Sequence, residues 1–290
     1  MLHHDLWNQL QDESETDRKK LILRIAGVRL WERCEQHQPG RWVVKGAQAL
    51  ALRIGAARAT RDFDLLAVVQ VGDDAAGEVE EALSEAALLQ RGDGFTFKVR
   101  KVQNLSDSRT VRAFLEVRLD GKKITSDFPV DLGYRRYEPA VQPDYIVPNP
   151  VIRGAPLPAI AVYPLPQHIA DKACAMFEVT TTGEESDRFR DLFDLAWIAH
   201  QPSFDIEAES LTQALGLEQE RRAVRLPNPF DSPSNAWRLG FERLVQDHPE
   251  ITTNWPGYEE ILVLVDRFLN GAAAVGRGRW DADHMSWDTR

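Results

Sequence analysis

The sequence predicts an α+β protein with its strands gathered in the first half and helices filling the second. Three observations carry this expectation. Short β-branched and aromatic runs bounded by turn residues are confined to positions before about 135. From position 167 onward apolar residues recur at helical spacing instead. Between them, residues 139–158 are rich in proline and irregular, which predicts two lobes, 1–150 and 151–290. A chain of 290 residues is long enough to give each lobe its own core.

Taken in order, residues 17–35 place Leu21, Ile22, Ile25, Val28, Leu30 and Trp31 at helical spacing, and Pro39-Gly40 then breaks the pattern. Trp42-Val43-Val44 reads as a strand, and Gly46 opens a helix of strong helix formers that runs to Gly55. A basic link leads to a second strand, residues 63–69. Residues 73–89 form an acidic amphipathic helix with Val79, Leu83, Ala86 and Leu89 on one stripe. Strands follow at 95–102, 110–119 and 123–132, the last two joined by an Asp120-Gly121 turn. Helices are then expected at 167–179, 187–200, 206–215, 237–247 and 258–269, while 271–290 shows no assignable pattern.

Composition narrows the function. Hydrophobic residues at 43% and charged residues at 28% are those of a soluble globular protein. No apolar stretch reaches the roughly 18 residues of a membrane span, and the first residues lack the form of a signal peptide. Cys34 and Cys174 stand alone without a CxxC pair, so a reducing cytoplasm is expected and a zinc knuckle is not. His3-His4 reads as a solvated end. The net charge of −10 argues against an all-over basic coat for nucleic acid. It leaves room for a local basic face, for which Lys98, Arg100 and Lys101; Arg135 and Arg136; Arg221, Arg222 and Arg225; and Arg277 and Arg279 are the clusters.

The chemistry gathers around Arg61-Asp62-Phe63-Asp64-Leu65. Alternate residues of a strand share a face, so Asp62 and Asp64 are expected side by side with Phe63 and Leu65 in the core. Two adjacent carboxylates repel unless a cation sits between them, and hard oxygen ligands suit Mg²⁺. Solvated acids at a strand end are the plain alternative. Gly46, at a strand-to-helix turn, leaves backbone N–H groups open to an anion such as a triphosphate, and Lys45 and Arg61 add positive charge there. Asp131, which interrupts an apolar strand end, is the candidate third acid. Asp127 is a lesser one. Together these are the ingredients of metal-assisted phosphoryl transfer.

A second group lies at Lys172 and at Arg190-Asp191-Leu192-Phe193-Asp194-Leu195. Asp191 and Asp194, three apart, share a helix face. They either lace a helix pair with Lys172 or hold that lysine ready for a triphosphate.

These residues resemble the AbiEii/MenT family of nucleotidyltransferase toxins. Its pattern of Lys-Gly-Gly-Thr/Ser, a helix, then Arg-x-Thr/Ser-x-Asp-hydrophobic-Asp-Leu is matched by Lys45-Gly46-Ala47-Gln48 and by Arg58-Ala59-Thr60-Arg61-Asp62-Phe63-Asp64-Leu65. The later Lys and Arg-Asp-x-x-Asp-Leu are matched by Lys172 and residues 190–195, and the resemblance spans about 20–200. Ala47 and Gln48 replace the family's second glycine and hydroxyl, which removes one expected phosphate contact.

The resemblance implies a DNA polymerase β-like nucleotidyltransferase fold, a small mixed sheet with flanking helices followed by a helical lobe that completes the NTP site. It implies transfer of NMP from an NTP to the 3′ end of tRNA, and a cognate protein antitoxin. Asp62, Asp64 and Asp131 would hold Mg²⁺, Asp131 also taking the acceptor proton. Lys172 and Asp194 would bind the triphosphate with Lys45, Gly46, Ala47 and Arg61, supported by Arg190 and Asp191. Thr60 is the hydroxyl near the nucleotide turn open to phosphorylation. Modification of a small molecule or protein by the same fold, and an inactive nucleotide- or partner-binding protein, stay open as alternatives.

Overall fold

Helix α2 (Glu15–His37) shows how the first lobe is built. Ser14 caps it, its hydroxyl accepting from the Asp17 N–H, and its apolar stripe buries Ile25, Val28, Leu30 and Cys34 almost completely. A shorter helix, α1 (Leu2–Asp12), precedes it and adds Leu6 and Leu10 to the same core. The helices expected from the sequence start at residue 17, so α1 is an addition to them. The computed structural model describes residues 2–55, 60–69, 75–105, 110–136, 142–148, 157–178, 188–232 and 236–290. Arg58, the 180–183 loop, the side chains of Arg135 and Arg136 and most of the proline-rich stretch lie outside these residues.

The strands are β1 (Trp42–Val44), β2 (Phe63–Val69), β3 (Phe95–Asn104), β4 (Thr110–Leu119), β5 (Lys122–Arg136), β6 (Asp144–Ile146) and β7 (Ile160–Val162). They form one mixed sheet in the order β3-β4-β5-β2-β1-β7-β6. β2 runs parallel to β5 and β1 to β7, and the other pairs are antiparallel. Strict alternation along β4 buries Val111, Ala113, Leu115, Val117 and Leu119 and turns the residues between them to the other face. Asp120 and Gly121, with φ of 50° and 74°, close the β4–β5 hairpin as a turn that needs positive φ at both central residues. Helices α3 (Gly46–Ile54) and α4 (Ala75–Leu88) complete this unit.

Arg33 is the polar pin of this lobe. Its guanidinium is fully buried and forks onto both oxygens of Asp93 at 2.9 and 2.7 Å, while also donating to the carbonyls of Leu89, Arg29 and Phe95. Burial works against the Asp93 carboxylate, but the Arg33 hydrogen bonds and charge prevail and hold its pKa below the ordinary value. We expect Arg33→Met to cost about 3–5 kcal/mol, because it strands a partly buried carboxylate and three carbonyls. Thermal melting at neutral pH checks this. A depressed folded pKa contributes stability above the unfolded value near 3.9 and loses it as pH falls, so the gap between variant and wild type should narrow toward acid pH.

Contacts divide the chain into units Met1–Tyr163 and Pro164–Arg290. The division falls after the expected residue 150 because β7, although set among prolines, hydrogen-bonds to β1 and so belongs to the first unit.

The second unit contains α5 (Leu165–Ala175), α6 (Phe189–Ala199), α7 (Ala208–Arg222), α8 (Ala236–Asp247), α9 (Pro249–Thr252) and α10 (Tyr258–Val275). Phe193, Phe241, Trp255 and Tyr258 pack ring against ring in its core. The unassigned tail is part of this core. β8 (Arg279–Asp281) and β9 (Ser286–Asp288) form a hairpin whose Trp280 and Trp287 pack on Phe268, and the Trp280 indole donates to the Ala199 carbonyl at 2.7 Å. Cys34 and Cys174 are both free and buried, and burial pushes both thiols up, that of Cys174 to about 12. No helix among the described residues is long and apolar enough to cross a membrane.

Candidate active site

The acids of the first unit meet where β2, β5 and β4 lie side by side. Parallel pairing sets Asp64 opposite Asp131, and antiparallel pairing sets Arg112 opposite Asp131. Residues in register on adjacent strands project from the same face about 5 Å apart, so Asp64, Asp131 and Arg112 form one row across three strands. Arg112 grips Asp131 bidentately, Nε to Oδ1 and Nη2 to Oδ2, both at 2.6 Å. The same Nη2 reaches Asp62 Oδ2 at 3.3 Å, and Asp62 Oδ1 accepts from the Thr60 hydroxyl at 2.8 Å. The Asp131 hydrogen bonds, then the charges of Asp131, Asp62 and Asp64, outweigh burial and raise the Arg112 pKa, so the guanidinium stays charged.

Two expectations change here. Asp62 lies on the bend before β2, which begins at Phe63. Arg112 rather than a shared strand therefore joins it to the other acids. Nor do Asp62, Asp64 and Asp131 stand as a ready three-carboxylate ligand set, for no such group exists among the described residues. Arg112 takes both oxygens of Asp131. The donor chemistry still fits a divalent cation, since carboxylate oxygens are the hard ligands that Mg²⁺ takes.

Gly46 is set by Asp64. The chain leaving β1 is tied to β2 by the Lys45 N–H donating to the Asp64 carbonyl at 3.0 Å, and it enters α3 through Gly46 at φ +63°. A Cβ there would lie 2.0 Å from Asp64 Oδ2 and 2.7 Å from its Cγ. The missing side chain is thus the space the carboxylate occupies. The Lys45 ammonium would come within 3.0 Å of a Cβ on Gly133, two residues beyond Asp131 on the same strand face. Ala47 and Gln48 are buried in the first turn of α3, and Arg61 is exposed beside Asp62.

In the second unit Lys172, on α5, is buried and donates to Asp194 Oδ2 at 2.5 Å and Asp191 Oδ1 at 2.9 Å. The three-residue spacing on α6 turns both acids to the lysine, as expected. Arg190 takes no part. It is exposed, its guanidinium 5.1 Å from the Phe189 ring centre, and Arg188 contacts Asp191 instead at 3.4 Å. Asp127 is exposed and outside both groups.

Arg112 is the functional candidate the sequence left unnamed. Its only signal is position: an arginine on the polar face of a strictly alternating strand, meaningful once the β4–β5 register is known.

The solved structure of MenT4, a nucleotidyltransferase toxin of Mycobacterium tuberculosis H37Rv, is 20% identical, with a TM-score of 0.53 over 96% of this chain and 100% of that one. At that identity the likeness speaks for the fold, an α+β nucleotidyltransferase fold. A candidate nucleotidyltransferase and JHP933, both from Helicobacter pylori, each cover 87% of this chain and 95% of their own. They are 17% and 16% identical, with TM-scores of 0.44 and 0.41. No protein of curated function matches in sequence. The model of the AbiEii nucleotidyl transferase toxin of type IV toxin–antitoxin systems matches residues 29–263, which hold both acid groups. The chain therefore belongs to the AbiEii family and is a nucleotidyltransferase of the toxin type.

Proposed function

We propose that the enzyme transfers NMP from an NTP to the 3′ end of tRNA with Mg²⁺, leaving a tRNA that cannot be charged and so halting translation. The observation that carries this reading is the row of Asp64 and Asp131, joined to Asp62 through Arg112 and set against the side-chain-free Gly46. Asp62 and Asp64 are the proposed Mg²⁺ ligands. When bound, the ion would supply positive charge to the phosphates and the leaving pyrophosphate.

The acceptor 3′ oxygen attacks the α-phosphorus, the bond to the β-phosphate oxygen breaks, and pyrophosphate leaves with that electron pair. Asp131 is the proposed receiver of the hydroxyl proton, for which one of its oxygens must be released by Arg112. In the first unit Lys45, with the Gly46, Ala47 and Arg61 segment, is the proposed triphosphate contact; in the second unit the proposed phosphate-binding cation is Lys172, held by Asp194 and Asp191. A cognate protein antitoxin and a cytoplasmic setting belong to the same reading.

The test is incubation of purified protein with Mg²⁺, bulk tRNA and each α-labelled NTP in turn. Label is expected in the tRNA band with at least one NTP. Label found only in a small molecule or protein, or nowhere, would overturn the tRNA assignment.

A further inference from the structure

Of the basic clusters in the sequence, most are neutralised locally or fall outside the described side chains. Arg221 and Arg222 pair with Glu218 and Asp171, and Arg279 with Asp205 and Glu207. The cluster on β3 differs. Lys98, Arg100 and Lys101 are exposed, as is Lys123 on β5, and none has an ion-pair partner among the described residues.

Register puts these cations on one surface. Lys98 pairs with Glu116, Lys101 with Phe114, Gln103 with Arg112, and Lys123 with Arg118. Glu116, Phe114, Arg112 and Arg118 alternate with the buried residues of β4, so they line the face turned away from the core. A bulge between Val99 and Lys101 adds Arg100 to the same edge. The Arg118 hydrogen bond first, then the charges of Arg118, Arg100 and Lys123, hold the Glu116 carboxyl below its ordinary pKa. These groups therefore share one field, and Glu116 within it is already paired with Arg118.

The face also has direction. It ends at the Arg112–Asp131–Asp64 row. Four residues of strand, roughly 13 Å, separate that row from the Glu116–Lys98 row, a span of two or three nucleotides. Phe114 lies midway, with Pro129 and Lys101 as its strand neighbours. A cationic edge strand alone guards against edge-to-edge pairing, but that reason does not extend to Lys123 and Arg118 on inner strands.

We infer that the open face of β3–β4–β5 seats the acceptor RNA, its phosphates on Lys98, Arg100, Lys101 and Lys123 and a base stacked on Phe114. This rests on the transferase reading above and gives the acceptor its path to the acids. Cations clear of partners suit a phosphate chain, and an aromatic among them suits an unstacked base.

The test compares wild-type protein with Lys98→Glu/Lys101→Glu/Lys123→Glu and with Phe114→Ala, measuring fluorescent tRNA binding across a salt series and steady-state transfer. We expect the triple variant to bind tRNA at least tenfold more weakly, with its log–log salt slope shallower by about two to three. Phe114→Ala should weaken binding roughly tenfold. In both, KM for tRNA should rise while KM for NTP stays put, and Lys→Arg at the three positions should keep wild-type binding.

Unchanged binding and salt slope in the triple variant would overturn the surface assignment. So would retained tRNA binding with loss of a protein partner, which would make this face a protein interface. If wild type labels no RNA at all, the transferase-to-RNA reading itself fails, and that outcome shows before any variant is compared.

Discussion

Asp64→Ala is expected to lower nucleotide transfer by on the order of a thousandfold while leaving the fold intact. That is the scale on which loss of one preorganised group stabilising transition-state charge acts. Asp64 shares its row with Asp131 and adds to the field around Arg112. Its loss removes a proposed cation ligand, and relief of repulsion with Asp131 offsets the contacts that Asp64 gives up, so the melting temperature should stay close to that of the wild type. The comparison to make is label transfer beside thermal melting and Mn²⁺ binding. Transfer and Mn²⁺ affinity falling together, with melting unchanged, is the expected pattern. Full activity would remove Asp64 from the site. Lost activity with a lower melting temperature would give it a structural role.

Much of this site was legible because strand alternation and the three-residue helix spacing are local rules. Asp131 stands out only as an acid interrupting an apolar strand end, whereas Asp62 with Asp64, and Asp191 with Asp194, could be paired from spacing alone. Arg112 could not, because its meaning depends on which residue of β5 lies opposite, and register across a hairpin is set by turn and bulge rather than by composition. Strands β6 and β7, three residues each among prolines, carry too few positions to show a period. The tail was opaque for a related reason. Trp280 and Trp287 hold it by packing on Phe268 of α10, and the Trp280 indole reaches far back to the Ala199 carbonyl, a contact that no local pattern announces. Arg33 carries no signal of its own in the helical pattern of residues 17–35. Only the structure sets Asp93 and three carbonyls around it.

Gly46→Ala should cost nearly as much activity as Asp64→Ala although every acid is retained. The left-handed φ of +63° at this position would cost an alanine about 1–2 kcal/mol, a loss a two-lobed protein of this size should survive folded. The larger consequence is steric. A methyl placed 2.0 Å from Asp64 Oδ2 forces the carboxylate to turn away, since the backbone behind it is fixed by the Lys45 N–H to Asp64 carbonyl bond. If Gly46 serves by housing Asp64, the two substitutions remove one function, and the Gly46→Ala/Asp64→Ala double variant should transfer no more slowly than the worse single. If instead Gly46 serves by baring backbone N–H groups to the triphosphate, its alanine variant should raise KM for NTP and the two losses should add. Transfer rates of the four proteins at saturating and limiting NTP separate these cases. Non-additivity in the rate at saturating NTP is the result expected from the distance between Gly46 and Asp64.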